Sequence, residues 1–474
     1  MQDTQYDFGM IGLGVMGSNL LLNLAGHGFA VIGYDKDLAK TKSLESAADS
    51  PMKVKGVNTP EELASLLKAP RKIMMLVPAG KAVDSVIEEL KPLLSAGDIL
   101  IDGGNSHYTD TQRRLESLRN SGFHFMGIGI SGGEEGARKG PSIMPGGDIR
   151  AYEEIAPLLK SVAARVHNEP CVAYLGNGAA GHYVKMVHNG IEYAIMQLIS
   201  ECYDLMRLGL NMTNEEIRQE FSKWNSGEMQ SFLLEITADI FAKKDDLTDG
   251  YLVDNILDKA GAKGTGKWTS LEGLNLPLPI PTIDAAVMMR NLSSLVEERA
   301  QADALYRLSS LDIEISKEEL LAMMHDALYF STLMSYIQGL AMLSAASEEL
   351  KMEIPIVEVV NVWRGGCIIR SALLGVFREV FQRQPGIRNL LLDADIAELV
   401  QQKLPALQKI ISLAAGNNFP AAGLMASFNY FNAYRRKSLP TNLVQAQRDY
   451  FGAHTYQRND REGIFHTDWE QPAQ

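Results

Sequence analysis

Long apolar runs are missing from this chain. No uninterrupted stretch approaches the roughly 20 residues that cross a bilayer, so a membrane-spanning helix is not expected. Dense Lys/Arg runs are missing as well. Lys plus Arg number 45 against 58 Asp plus Glu, a net charge of −13. That is the wrong sign for a protein whose main partner is nucleic acid or anionic lipid. An anionic ligand must be held by a local cluster of cations, at contact distances inside one screening length. Cysteine is scarce: Cys171, Cys202 and Cys367 form no CxxC pair and predict free thiols in a reducing compartment. Residues Met1 to Asp7 lack the basic and apolar regions of a signal peptide, so the expected location is cytoplasmic. The nine histidines show no H-x-x-x-H spacing, and no metal site is expected.

What is present is an ordinary globular mixture, 46% hydrophobic and 22% charged over 474 residues, which excludes disorder as the main state. Up to about residue 178, short apolar runs alternate with helical patterns. The expected strands are Asp7–Ile11, Ala30–Tyr34, Lys72–Val77, Asp98–Asp102, Phe123–Ile128 and Cys171–Leu175. Runs rich in Ile, Val, Leu and Met followed by Gly or Pro suit a mostly parallel, doubly wound sheet. A domain over 1–178 is therefore expected to be a Rossmann-type α/β unit. From 179 to about 437 the pattern reads all-helical, with helices over Ala180–Leu208, Ile283–Leu308, Lys317–Glu349, Cys367–Gln382 and Ala394–Ala414. Thr213-Asn214-Glu215-Glu216 and Ser316-Lys317-Glu318-Glu319 fit capping boxes. Leu276 to Pro281, with proline at alternate positions, is expected to be extended. Residues 438–474 show few periodicities but many aromatics, including Tyr450, Phe451, Tyr456 and Phe465, and read as a tail that docks on something.

Gly12-Leu13-Gly14-Val15-Met16-Gly17 fits G-x-G-x-x-G, directly after a strand and opening a helix, and a second strand ends at Asp35. In that context the motif is a dinucleotide fingerprint. Gly12 serves the tight turn, Gly14 the approach of a pyrophosphate, and Gly17 the helix packing. Asp35 would accept from the adenosine ribose hydroxyls and favour NAD, opposing a 2′-phosphate by roughly 1–4 kcal/mol. Lys36 beside it would offset part of that. On the next long helix, Lys185, Asn189 and Glu192 share one stripe at i, i+4 and i+7. Lys185 and Glu192, roughly 10 Å apart along the axis, could bracket a small substrate as base and acid. The same stripe would equally suit two charges reaching solvent from an exposed helix edge.

These residues, with Ile101-Asp102-Gly103-Gly104-Asn105-Ser106, Ile130-Ser131-Gly132-Gly133-Glu134-Glu135-Gly136-Ala137, Lys263-Gly264-Thr265-Gly266-Lys267-Trp268, Trp363-Arg364-Gly365-Gly366-Cys367-Ile368-Ile369-Arg370 and Arg448-Asp449-Tyr450-Phe451-Gly452-Ala453-His454-Thr455, resemble the decarboxylating 6-phosphogluconate dehydrogenases of the oxidative pentose phosphate pathway. The resemblance runs from about residue 7 to 469. It implies that Lys185 takes the proton of the substrate C3 hydroxyl and that Glu192 protonates the carbon that has lost CO2, with no metal. It implies that Asn105, Ser131, Gly132, Gly133, His188 and Asn189 hold the carboxylate and hydroxyls. Tyr193, Lys263, Thr265 and Arg290 would hold the phosphate, joined by Arg448 and His454 from the partner subunit's tail in a homodimer. The cofactor, NAD or NADP, would lie on Gly12, Gly14, Val15, Met16, Gly17, Asp35, Lys36, Val77, Ala79 and Asn105. Two positions depart from the family pattern. Asp35-Lys36-Asp37 replaces the usual Asn-Arg-Thr, and Pro78 replaces the usual lysine in Val77-Pro78-Ala79-Gly80. Both lean away from the family's NADP and toward NAD. Two other readings share the scaffold: a β-hydroxyacid dehydrogenase acting on a smaller acid, and a non-catalytic nucleotide sensor. Cys367 carries no accompanying His or Asn motif and reads as a packing thiol rather than a nucleophile.

Overall fold

A computed structural model of the chain describes residues 5–306 and 315–469. Two compact units are present, Met1–Ser427 and Phe428–Gln474. The first begins with a seven-stranded sheet: β1 Phe8–Ile11, β2 Val31–Tyr34, β3 Val54–Val57, β4 Lys72–Met75, β5 Ile99–Asp102, β6 His124–Ser131 and β7 Ser142–Gly147. Its order is β3-β2-β1-β4-β5-β6-β7. The first six strands are parallel and β7 is antiparallel to β6. Chain order reverses between β1 and β4, the point at which doubly wound sheets open a crevice at their carboxyl ends. Strands β1, β2 and β5 are buried along their whole length, as expected for strands covered by helices on both faces.

The glycine loop after β1 feeds the helix Val15–Gly26, whose Leu20, Leu21, Leu22 and Leu24 lie in the core. Each such buried leucine contributes about 1.5–3 kcal/mol. A Cβ on Gly17 would stand 2.0 Å from the Gly12 carbonyl oxygen, so the loop closes only with glycine there. After residue 178 the central helix, Ala180–Asp204, lies directly on β6 and β7. A Cβ on Gly181 would come 2.3 Å from the Gly127 carbonyl oxygen and 2.4 Å from that of Met144. The helix Lys317–Glu349, buried along most of its length, packs on another side of the central helix. Hydrophobic residues all round are what such a buried helix needs.

Several expectations need correction. Strands β3 and β7 were not among those expected. Cys171–Leu175 is not a strand: Val172 makes a single bridge to Ile143 of β7, and Pro145, without an N–H, interrupts any ladder there. The helix expected over Ile283–Leu308 is two, Pro281–Ser293 and Val296–Leu305. Ser293 and Ser294 bond back to the Arg290 and Asn291 carbonyls where it breaks, and residues 307–308 lie outside the described residues. The helix expected from Cys367 begins at Leu373, after Gly366 takes φ +67°. The Pro-rich stretch is irregular to Ile280, and Pro281 opens a helix instead of extending the chain; a missing N–H costs nothing at that position. Thr213 closes a full capping box, while Ser316 accepts from the Glu319 N–H. Cys171, Cys202 and Cys367 are free and buried. Among the described residues no helix is long and apolar enough to cross a membrane.

The second unit is more regular than its sequence implied. It contains the helix Thr441–Gly452 and a bridge between Tyr456 and Phe465 with two backbone hydrogen bonds of 2.8 Å. Asp449 is its hub. The buried carboxylate accepts from the backbone N–H groups of Thr455 and Thr467 at 2.9 and 3.1 Å, from the Trp469 indole at 2.9 Å, and faces His466 Nδ1 at 2.9 Å. Burial alone would raise the pKa of Asp449, but these bonds outweigh it and hold the carboxyl down at about 2.

Candidate active site

The site gathers where the strands end. After β1, Gly14 caps the Val15–Gly26 helix with no side-chain bond to its first turn, and a Cβ on Gly14 would meet nothing within 4 Å. Val15 is exposed, Met16 half-buried and Gly17 buried. Free N–H groups at a helix N-terminus beside open space suit a pyrophosphate, so these residues fit a dinucleotide. After β2, Asp35 accepts from the Leu13 N–H at 2.7 Å, which ties it to the glycine loop. Lys36 turns away to Glu89 at 3.2 Å. The cation beside Asp35 is instead Lys40, whose Nζ lies 3.4 Å from both carboxylate oxygens, a residue sequence reasoning passed over.

The loops after β4 and β5 meet next to the glycine turn. A Cβ on Gly12 would lie 3.1 Å from Val77 Cγ1, and one on Gly104 would lie 3.3 Å from the Val77 carbonyl oxygen. Pro78, Ala79 and Asn105 are exposed on these loops. Beneath them, Asp102 accepts from the Gly104 N–H at 3.0 Å and from Ser106 Oγ at 2.6 Å. Tyr108 donates to Glu272 at 2.9 Å, joining the loop after β5 to the helix Thr265–Asn275.

The central helix carries the candidate reactive groups. A Cβ on Gly129 would stand 2.4 Å from Lys185 Cβ, so β6 holds Lys185 close against the sheet, 7% exposed. Lys185 Nζ donates to Asn189 Oδ1 at 2.9 Å and lies 3.4 Å from His188 Nδ1. Fully buried His188 lies 3.2 Å through Nε2 from Ser131 Oγ and 3.8 Å through Nδ1 from Glu192. Burial lowers the Lys185 pKa, with Glu192 pulling partly the other way. Burial raises that of Glu192, opposed by Lys185 and Arg290. Burial, helped by the Lys185 charge, holds His188 well below its ordinary value and therefore neutral. A neutral lysine and a protonated glutamic acid are thus each brought within easier reach.

Gly132 and Gly133 follow β6 with positive φ, and a Cβ on Gly132 would lie 2.6 Å from the Gly366 carbonyl oxygen. That contact seats the Trp363–Arg370 segment under the Ser131 turn. Cys367 donates to the Trp363 carbonyl at 3.0 Å, and burial pushes its thiol up to about 12, which excludes a ready thiolate. On the other flank, Arg290 stacks on the Tyr193 ring at 3.4 Å. Gly266 lies against the same ring, where a Cβ would stand 2.5 Å away. Thr265 is buried at the start of its helix, and Lys263 is exposed just before it. The first unit thus brings together the sheet-end loops, the Lys185–Glu192 stripe, and Tyr193 with Arg290. Arg448 and His454 belong to the second unit, where Arg448 bonds to Gln445 at 3.1 Å and His454 packs against Phe451.

Among the described residues, Glu228, His325 and Asp326 form a cluster that the histidine spacing did not reveal. Lys403 already supplies its cation, 2.5 Å from Glu228 and 2.8 Å from Asp326.

Comparison with known proteins agrees with this geometry. The family model described as the NAD binding domain of 6-phosphogluconate dehydrogenase matches residues 7–176, and that of the C-terminal domain matches 181–469. A Bacillus subtilis protein named 6-phosphogluconate dehydrogenase, NADP(+)-dependent, decarboxylating is 49% identical over 469 residues, covering 98% of this chain and 99% of the relative. A Lactococcus lactis 6-phosphogluconate dehydrogenase, decarboxylating, is 46% identical over 467 residues, with 98% and 99% coverage. The solved Plasmodium falciparum 6-phosphogluconate dehydrogenase, described in apo form and in complex with NADP+ and with 6-phosphogluconate, superposes with a TM-score of 0.95. It is 44% identical and covers 98% of this chain and 100% of its own.

Proposed function

Because the chain belongs to the 6-phosphogluconate dehydrogenase family, we infer that it oxidises and decarboxylates 6-phospho-D-gluconate to D-ribulose 5-phosphate and CO2, reducing NAD+ or NADP+. The observation that carries this reading is the pairing of Lys185 and Glu192. They sit on one buried helix face, and burial lowers one pKa and raises the other. Full-length identity to relatives named for this reaction favours it over a smaller hydroxyacid substrate or a nucleotide sensor.

Bound nicotinamide supplies the hydride acceptor. Lys185, neutral before reaction, takes the C3 hydroxyl proton as hydride leaves C3. The resulting ammonium, steadied by Asn189, remains beside the new C3 ketone. That ketone receives the electron pair of the C1–C2 bond as C1 departs as CO2, so the step asks for no metal. Glu192 then gives its proton to the former C2 of the enediol, which becomes C1 of the product. Ser131, Gly132, Gly133, Asn105, His188 and Asn189 hold the carboxylate and hydroxyls. Tyr193, Lys263, Thr265 and Arg290 hold the phosphate, supplying the local positive field that a chain of net charge −13 otherwise lacks.

The dinucleotide lies on Gly12, Gly14, Val15, Met16, Gly17, Asp35, Val77, Ala79 and Asn105 of the domain over 1–178, with Lys36 turned to Glu89 instead, and the helices of 179–437 carry substrate and the dimer contact. The name of the Bacillus subtilis relative and the description of the Plasmodium falciparum structure point to NADP. Asp35, fixed at the end of β2, and Pro78 favour NAD being used at least as well. The tail over 438–474 reaches the partner subunit of a homodimer in the cytoplasm and brings Arg448 and His454 to its phosphate site. The test is 6-phospho-D-gluconate with each dinucleotide in excess chelator. One CO2 per reduced nicotinamide is expected; a folded protein that releases none overturns the reading.

A further inference from the structure

We propose that Arg114 is a positioning residue that sets the loop after β4 against the loop after β5, and so shapes the nicotinamide half of the dinucleotide site. Arg114 lies on the helix Tyr108–Leu118 and is 1% exposed. Its guanidinium splits its donors between the start of the helix Lys81–Leu90, which follows the loop after β4, and the loop after β5. Nη2 donates to the Gly80 carbonyl at 3.0 Å, and Nε to Asp84 at 2.7 Å, both just beyond Val77 and Ala79. Nη1 points to Asp102 Oδ2 and Ser106 Oγ, each at 3.3 Å, on either side of Asn105. The planar fork of arginine can hold such divergent acceptors at once, while an ammonium on a single stem cannot.

The placement gives this clamp a function beyond filling the core. The core clusters on both faces of the sheet are apolar, so a buried arginine is not needed to bind the layers together and carries a desolvation cost. Its partners all lie within five residues of Ala79 or Asn105. In the sheet order, β4 and β5 stand on the opposite side of β1 from β2 and Asp35. An adenosine ribose at β2 and a pyrophosphate at the glycine loop therefore leave the β4–β5 side for the nicotinamide end. The inference rests on the dinucleotide-binding reading, and it predicts that the two halves of the ligand respond differently to loss of the clamp.

The experiment measures equilibrium binding of intact NAD+ and NADP+ and of two adenosine fragments, ADP and 2′,5′-ADP, with no turnover required. Arg114→Lys is compared with the unmodified chain after thermal melting has shown that both fold. Kd for the better intact dinucleotide should rise about tenfold or more, while Kd for the better-bound fragment stays within about twofold. Asp84→Ala frees one arm of the clamp from a half-exposed position and should give a smaller split of the same sign. It decides the matter alone if Arg114→Lys does not fold. Parallel loss of both ligands, or no change in either with a folded variant, overturns the proposal. An unmodified chain that binds neither dinucleotide would instead overturn the dinucleotide-binding reading itself.

Discussion

Lys185 and Glu192 face one side of the central helix two turns apart, and the same burial drives their pKa values toward each other, the lysine down and the glutamic acid up. His188 stands between them, held neutral by burial. Lys185 is 7% exposed and the Glu192 side chain 21%, so the reading of the stripe as two charges reaching water from an exposed helix edge does not hold for this fold.

The pH dependence of kcat follows from the signs. In the proposed mechanism Lys185 works unprotonated, so activity should rise as pH climbs through its lowered pKa. Glu192 works protonated, so activity falls as pH climbs through its raised pKa. The two limbs should lie inside the interval between ordinary glutamate and lysine, about 4.3 to 10.4, and belong to the coupled pair. Glu192→Gln should delete one limb of the kcat profile. A full bell in that variant would show that another acid titrates.

The proposed cofactor choice rests on Asp35. The Leu13 N–H fixes it, and its charge opposes a 2′-phosphate, although Lys40 lies beside it. Asp35→Asn with Pro78→Lys should shift preference toward NADP, Asp35 contributing most. The deciding numbers are kcat/KM for both cofactors in the unmodified chain. A preference for NADP above about tenfold, roughly 1.4 kcal/mol, would show that Lys40 or another cation dominates the pocket.

The tail makes a separate prediction. Asp449 organises residues 455–469 and so presents Arg448 and His454. If these complete a neighbour's site, mixing inactive Lys185→Ala and Arg448→Ala chains should restore activity after subunit exchange, because one hybrid site is intact. Demonstrated exchange without recovery would place each site within one chain.

The sheet was legible where its strands are buried on both faces, since continuous Ile, Val, Leu and Met runs leave little choice. It was not legible at its edges. Val54-Lys55-Gly56-Val57 is half-buried and carries a lysine, and Ser142–Gly147 contains Pro145 and two glycines, residue types depleted in strands. The helix Thr441–Gly452 escaped notice because Asp449 is its one buried residue, leaving no apolar stripe.

In the site, spacing alone put Lys185, Asn189 and Glu192 on one face and Gly12, Gly14 and Gly17 in one loop. Spacing could not show that Lys36 turns toward Glu89 while Lys40 meets Asp35, because side-chain direction depends on what lies across the fold. Arg114 left one trace, its place on the Thr111–Arg114–Leu118 stripe of buried positions, where a charge is unexpected unless it has partners.

The most direct test is a single-turnover experiment with 6-phospho-D-gluconate labelled at C1, following nicotinamide reduction and labelled CO2 together. The unmodified chain should give both in equal amounts. Lys185→Ala should lose reduction by roughly 10²–10⁴ or more, and CO2 with it, whereas Glu192→Ala should keep the reduction burst and delay the ribulose 5-phosphate that follows. Reduction abolished by Glu192→Ala and intact in Lys185→Ala would contradict the account.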